Sequence, residues 1–187
     1  MITNNALSVL PQELHTSKSS LSSFTRLFLS VMLFCALYFG LSTSASANTP
    51  LPDIELRDFH SGETLSKADL QGKVVYLDFW ASWCKPCKKS FPFMNELNAK
   101  YSNQEFKIVA VNLDEFAEDA QQFLSEIPAE FKIYSDPDKQ LAEALQLPGL
   151  PVAFVIDKQG NIRGRHIGFN ERKKNKKIQQ IEHLIGL

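Results

Sequence analysis

The chain has 187 residues, 44% of them hydrophobic and 22% charged, with a formal net charge of −1. That composition excludes disordered, collagen-like and coiled-coil chains, and the near-neutral balance lacks the basic excess of a dedicated nucleic-acid binder. Three cysteines are too few for a disulfide scaffold, so their placement has to carry the meaning.

The first segment reads as an address. Leu27 to Leu41 is an almost wholly apolar run, preceded by Lys18 and Arg26 and followed by small residues ending Ala45-Ser46-Ala47. A basic end, a short apolar helix and an A-x-A site are the three parts of a secretory signal peptide, which places a cut after Ala47. An uncleaved membrane anchor is the alternative, although a stable span wants roughly 20 apolar residues. A lipoprotein reading of Cys35 is disfavoured because Phe34 stands where a small residue is needed. The organisation expected is a leader over residues 1–47 and one domain over residues 48–187, facing an oxidising compartment outside the cytoplasm. Without the leader, Cys84 and Cys87 are the only cysteines left.

Thr49 to Asp53 predicts an extended lead-in, because Pro50 and Pro52 disfavour helix. A hairpin over Ile54–Leu65 turns at His60-Ser61-Gly62, and Ser66–Leu70 reads as a short helical turn. Val74–Trp80 (VVYLDFW) is apolar except for Asp78 and predicts a fully buried central strand. Helical spacing follows from Pro86 to Tyr101, with Phe93, Leu97 and Tyr101 in phase and a kink expected at Pro92. Phe106–Leu113 is a second strand. Glu115–Ser125 predicts a helix carrying Phe116, Ala120, Phe123 and Leu124 inward, and Phe131–Tyr134 a brief strand.

Asp136 is expected to cap a helix that has Pro137 at its first position and runs to Leu145. Val152–Ile156 and Ile162–Ile167 form a hairpin around Gly160. A last helix from about Asn170 buries Ile178, Ile181, Leu184 and Ile185. Its first turns carry the basic run Arg172–Lys177 (RKKNKK), which has no interleaved aromatics and reads as a solvated face rather than a nucleic-acid or lipid site. The order βαβ, insert, ββα predicts an α/β domain with a mixed sheet and helices on both faces.

The chemistry sits at Ala81-Ser82-Trp83-Cys84-Lys85-Pro86-Cys87, where the buried strand hands over to a helix. A Cys84–Cys87 bridge closes so short a loop that it makes a poor structural staple, and a pair that opens and closes fits better. At a helix N-terminus, with Lys85 adjacent, the Cys84 thiolate is favoured. Cys84 is the expected nucleophile and Cys87 the more buried resolving thiol, with Pro86 and Lys85 tuning the pair. Zinc would need about four ligands, and His60, His166 and His183 stand singly, so no metal and no cofactor are expected. Ala81, where a peroxiredoxin has threonine, disfavours a single-cysteine peroxidase.

Tyr76–Cys87 (YLDFWASWCKPC) resembles the active-site segment of the thioredoxin superfamily. The lead-in Pro52–Lys73 and the pair Leu150-Pro151 before VAFVID resemble its secreted TlpA-like branch, and the likeness spans residues 50–187. It implies a thioredoxin-like fold with an N-terminal hairpin and an inserted helix and strand in the central crossover. It also implies thiol–disulfide exchange with client proteins, apocytochrome c among the candidates, acting as a reductant recharged by a membrane electron donor. Run the other way, the same fold is an oxidase or isomerase, and without exchange it is a peptide-binding module.

By the same resemblance Pro151 is the cis-proline facing the cysteines, and Leu150 offers its backbone to a substrate strand. Asp78 is the buried acid that exchanges a proton with Cys87, and Trp83 shields the site and offers a flat contact surface. Two positions depart from the family. Ser90 stands where many TlpA-like reductases have glutamate, and Ala110 where thioredoxins often have the lysine that accompanies the buried acid. Proton handling is therefore expected to rest on Asp78 and solvent.

Overall fold

Seven consecutive buried residues, Val74–Trp80, require that both faces of the strand be covered. The computed structural model, which describes residues 48–102 and 104–187, shows how this is done. The leader read at residues 1–47, Cys35 included, lies outside the described residues.

The strands are β1 (Thr49–Pro50), β2 (Glu55–Asp58), β3 (Thr64–Ser66), β4 (Val74–Trp80), β5 (Phe106–Asn112), β6 (Ile133–Ser135), β7 (Val152–Ile156) and β8 (Asn161–Ile167). They form one mixed sheet in the order β1-β8-β7-β4-β5-β6-β2-β3. The helices are α1 (Cys87–Tyr101), α2 (Ala117–Glu126), α3 (Gln140–Ala144) and α4 (Lys174–Ile185), with 3-10 turns at Lys67–Leu70 and Glu171–Lys173. This is the expected thioredoxin-like α/β architecture, including the N-terminal hairpin and the inserted α2–β6 crossover.

The alternation of side chains along β4 splits the core into two layers. Val74, Tyr76 and Trp80 pack with Phe91, Phe93, Met94 and Leu97 of α1, Phe123 of α2 and Ile181 of α4. On the opposite face Val75, Leu77 and Phe79 pack with Leu51 and Ile54 of the lead-in, Leu70 of the first 3-10 turn and Leu141 of α3.

Strand register then sets where the site must be. β4 pairs in parallel with β5, Trp80 opposite Asn112, and antiparallel with β7, Phe79 opposite Val152. β8 runs back along β7 with Ile167 opposite Val152. The segment after β4, the segment after β5, the residues before β7 and the end of β8 therefore meet at one end of the sheet.

Four local readings need correction. Phe116 is not on the buried face of α2: it is the extended residue that precedes the helix and is 59% exposed. α3 begins at Gln140, not at Pro137, because Lys139 takes a left-handed conformation and breaks the turn. Asp136 still serves that helix from outside, its carboxylate accepting the Ala142 N–H at 3.0 Å. In α4 only Ile181 of the expected apolar residues is fully buried, with Ile178, Leu184 and Ile185 half-buried. Finally, Lys177, read as part of a solvated face, is only 4% exposed. Helix α1 continues through Pro92 as one element.

Candidate active site

Cys84 and Cys87 lie beyond the C-terminal end of β4 and form a disulfide, with Sγ atoms 2.01 Å and Cα atoms 5.3 Å apart. Cys87 is the first residue of α1, so Cys84 stands one turn ahead of the helix rather than within it. The Cys84 carbonyl accepts the Cys87 N–H at 3.0 Å, and the Ala81 carbonyl accepts the Cys84 N–H at 3.1 Å. These turns present the pair at the helix start while both cysteines stay buried. Lys85 and Pro86 between them are exposed.

A contact absent from the sequence reading holds this loop. Asp114, just past β5, accepts the Ser82 N–H at 2.9 Å and the Ser82 hydroxyl at 2.8 Å. Asn112 in turn donates from Nδ2 to Asp114 at 2.7 Å. Charge-assisted bonds of this kind are the stronger class, and here they tie the loop to the neighbouring strand. The partners are 32 residues apart, so neither spacing nor periodicity could reveal them. Ser90, noted from the sequence as a departure from the family pattern, is buried and donates its hydroxyl to the Cys87 carbonyl at 3.1 Å.

Leu150-Pro151 is cis. Pro151 is buried at the start of β7 and its carbonyl accepts the Gly168 N–H at 2.8 Å, while half-buried Leu150 packs against the cluster that contains both cysteines. Trp83 is 70% exposed beside Cys84. Two further large apolar side chains are exposed at this end of the sheet, Phe116 after β5 and Ile167, 66% exposed, at the end of β8. Neither was singled out from the sequence as a site residue.

Asp78 lies on the β4 face that α1 covers, two residues before Trp80, and is 1% exposed. Its Oδ2 and Trp80 Nε1 are buried without a hydrogen-bond partner among the described residues. Burial pushes the Asp78 carboxyl up to about 8, and the positive charge of Lys177 opposes that rise. Ala110 stands directly opposite Asp78 on β5, so that strand brings no charge to this position. The positive charge felt at Asp78 comes instead from Lys177 of α4, a residue the sequence reading placed on a solvated face. Among the described residues no group of three or more His, Cys, Asp or Glu could hold a metal ion.

A mixed-sheet α/β domain with a two-cysteine disulfide at a strand–helix junction defines a thioredoxin-like redox protein. Residues 46–183 match the Redoxin family, and the chain belongs to that family. It is 33% identical over 146 residues to the thiol-disulfide oxidoreductase ResA of Bacillus subtilis, covering 74% of this chain and 81% of that protein. The ResA of Geobacillus kaustophilus is 35% identical over 126 residues, covering 67% of this chain and 72% of the relative.

Among solved structures, a Chlorobium tepidum protein assigned as the thiol:disulfide interchange protein DsbE superposes with a TM-score of 0.70 at 42% identity. That match covers 74% of this chain and 97% of the other. A Bacteroides thetaiotaomicron protein assigned as a protein disulfide isomerase superposes at 0.68 with 26% identity, covering 75% and 90%. The protein is a thiol–disulfide oxidoreductase, and its clients are proteins that carry disulfides.

Proposed function

We propose that the protein works as a reductant outside the cytoplasm, with Cys84 as nucleophile and Cys87 as resolving thiol. In the reduced form the Cys84 thiolate attacks one sulfur of a client disulfide. That bond breaks, the other client sulfur leaves as a thiolate, and a Cys84–client mixed disulfide forms. Cys87 loses its proton to Asp78 and attacks Cys84 Sγ, releasing the second client sulfur. Two electrons pass to the client and its two thiolates take up two protons, so the protein departs with the Cys84–Cys87 disulfide.

The observation that carries this reading is the placement of that disulfide beside exposed Trp83, at the sheet end where Phe116 and Ile167 are also exposed. Exposed large apolar side chains at the same sheet end as a reactive group suit a protein surface as partner better than a small hydrophilic thiol. The backbone of Leu150 would pair with an extended client segment, and Lys85 and Pro86 would tune the thiolate. Apocytochrome c is a fitting client and a membrane dithiol protein a fitting electron donor. Residues 1–47 would act as the export leader, cut after Ala47 or kept as an anchor. No helix among the described residues is long and apolar enough to cross a membrane.

The test is the reduction potential of the Cys84–Cys87 couple in defined thiol buffers, together with client reduction by the Cys84→Ser variant. A potential towards about −270 mV, the thioredoxin end of the known range, supports the reductant. One towards about −120 mV reverses the direction of electron flow and makes the protein an oxidase. Full client reduction by Cys84→Ser would sink the assignment of the nucleophile.

A further inference from the structure

The basic run Arg172–Lys177 contains one lysine that behaves unlike the others. Arg172, Lys173 and Lys176 face solvent, whereas Lys177 is buried. Its position explains why: Lys177, Ile181 and Leu184 recur at i, i+4 and i+7, so the lysine occupies the inward stripe of α4. Its ammonium donates to the Tyr76 hydroxyl at 3.4 Å. It also lies 5.7 Å from the ring centroid of Phe93 and 5.1 Å from that of Phe169. Aromatic faces and a phenol oxygen hold a cation in place but do not neutralise it. The carboxylate that can do so is Asp78, two residues along β4 from Tyr76 and on the same face.

We infer that Lys177 is the cationic partner of the buried acid Asp78 through the field of its charge rather than an ion-pair contact, a positioning residue for thiol exchange supplied by the C-terminal helix where the facing strand offers only Ala110. The inference rests on the reading that Asp78 takes the proton of Cys87. A buried carboxyl alone would hold its proton too tightly to release it again near neutral pH. A fixed ammonium nearby lowers the cost of the charged form and returns the carboxyl to a working range.

The other charges facing this site do not take over that role. On β4 the Tyr76 phenol is pushed further towards its neutral form by burial. His166 on β8 is held below its ordinary value by burial and by the charge of Lys177, with Nε2 3.1 Å from Gln180 Oε1. Lys174 is committed to Glu171 at 2.9 Å and to Glu96 of α1 at 3.7 Å. Lys173 and Lys176 are exposed and bring charge of the same sign. Burial lowers Lys177 itself, and Asp78 is the group that raises it again.

The test is titration of the Asp78 carboxyl by carbon NMR in the oxidised full-length protein, for wild type, Lys177→Met and Lys177→Arg. Met fits among Phe93, Phe169 and Ile181, and replacing a buried charge by an apolar chain does not by itself unfold a protein. Lys177→Gln serves as a second neutral variant. The expected result is an Asp78 midpoint raised by about one pH unit or more in Lys177→Met or Lys177→Gln, and restored in Lys177→Arg. The pH dependence of the Cys87 resolution step shifts with it, slowing the step at neutral pH about tenfold for each unit.

An unchanged midpoint in either neutral variant, folded as judged by the rest of its spectrum, overturns the inference. The titration uses no client, so it stands or falls separately from the assignment of Cys84, which the Cys84→Ser variant tests.

Discussion

The two faces of β4 are buried alike and built differently. One presents Val75, Leu77 and Phe79 to a layer of aliphatic and aromatic side chains. The other presents Tyr76, Asp78 and Trp80, and it is here that Lys177 and the two buried side-chain polar atoms without partners among the described residues are found. An apolar face gains free energy from every residue it buries. A face holding a carboxyl and an ammonium gives up part of that gain to desolvation. The strand thus buries only apolar side chains on one side and its single acid among aromatic neighbours on the other, and substitutions should separate the two.

The largest effect is expected from Leu77→Ala. It empties space in the layer that holds Val75 and Phe79, and denaturant unfolding should show a loss of about 2–5 kcal/mol, with the Cys84–Cys87 reduction potential unchanged. A shift in potential without a loss of stability would break the separation between the faces.

Asp78→Asn should act in the opposite sense. The folded protein holds the Asp78 proton up to about 8, whereas the ordinary carboxyl releases it near 3.8. Between these values the folded state binds more protons than the unfolded chain, so Asp78 makes stability fall as pH rises from about 4 to 8. Removing the charge should flatten that slope and stabilise the protein at pH 8 by about 2 kcal/mol or more, while slowing resolution by Cys87. Thermal unfolding at pH 4 and pH 8 checks the first part. An unchanged slope would mean that the acid is not the group responsible.

Trp83→Ala is the smallest perturbation to the fold. The side chain is exposed, so stability should stay within about 0.5 kcal/mol. Reduction of a protein client should slow several-fold while reduction of a small disulfide does not. Equal slowing with both substrates would remove the apolar rim from client binding.

What the sequence reveals follows from the range of each signal. VVYLDFW has no outward-facing position, so β4 is legible as central, and a Cys-x-x-Cys directly behind it is legible as chemistry. The hairpin around Gly62 and the one around Gly160 carry their turn residues with them. Phe116 misleads because apolar spacing continues through a residue whose backbone is extended. Asp136 misleads because a left-handed Lys139 postpones the helix that Asp136 nevertheless supports.

Lys177 is hidden for another reason. In a run of five basic residues interrupted only by Asn175, the composition says surface, and only its phase with Ile181 and Leu184 says core. Ser82 and Asp114 meet across neighbouring strands, a relation that belongs to register and not to any local pattern.

The pairing of β1 with β8 fixes how the protein can be handled. Thr49 and Pro50 lie against Ile162 and Asn161, at the start of β8, whereas the disulfide lies at the end of the sheet where that strand finishes, at Ile167. The strand between them spans roughly 20 Å at about 3.3 Å per residue. A domain beginning at Asn48 and grafted to a surface or an electrode through that end would point its reactive rim away from the support, so client docking and electron counting could be followed on the same immobilised molecule.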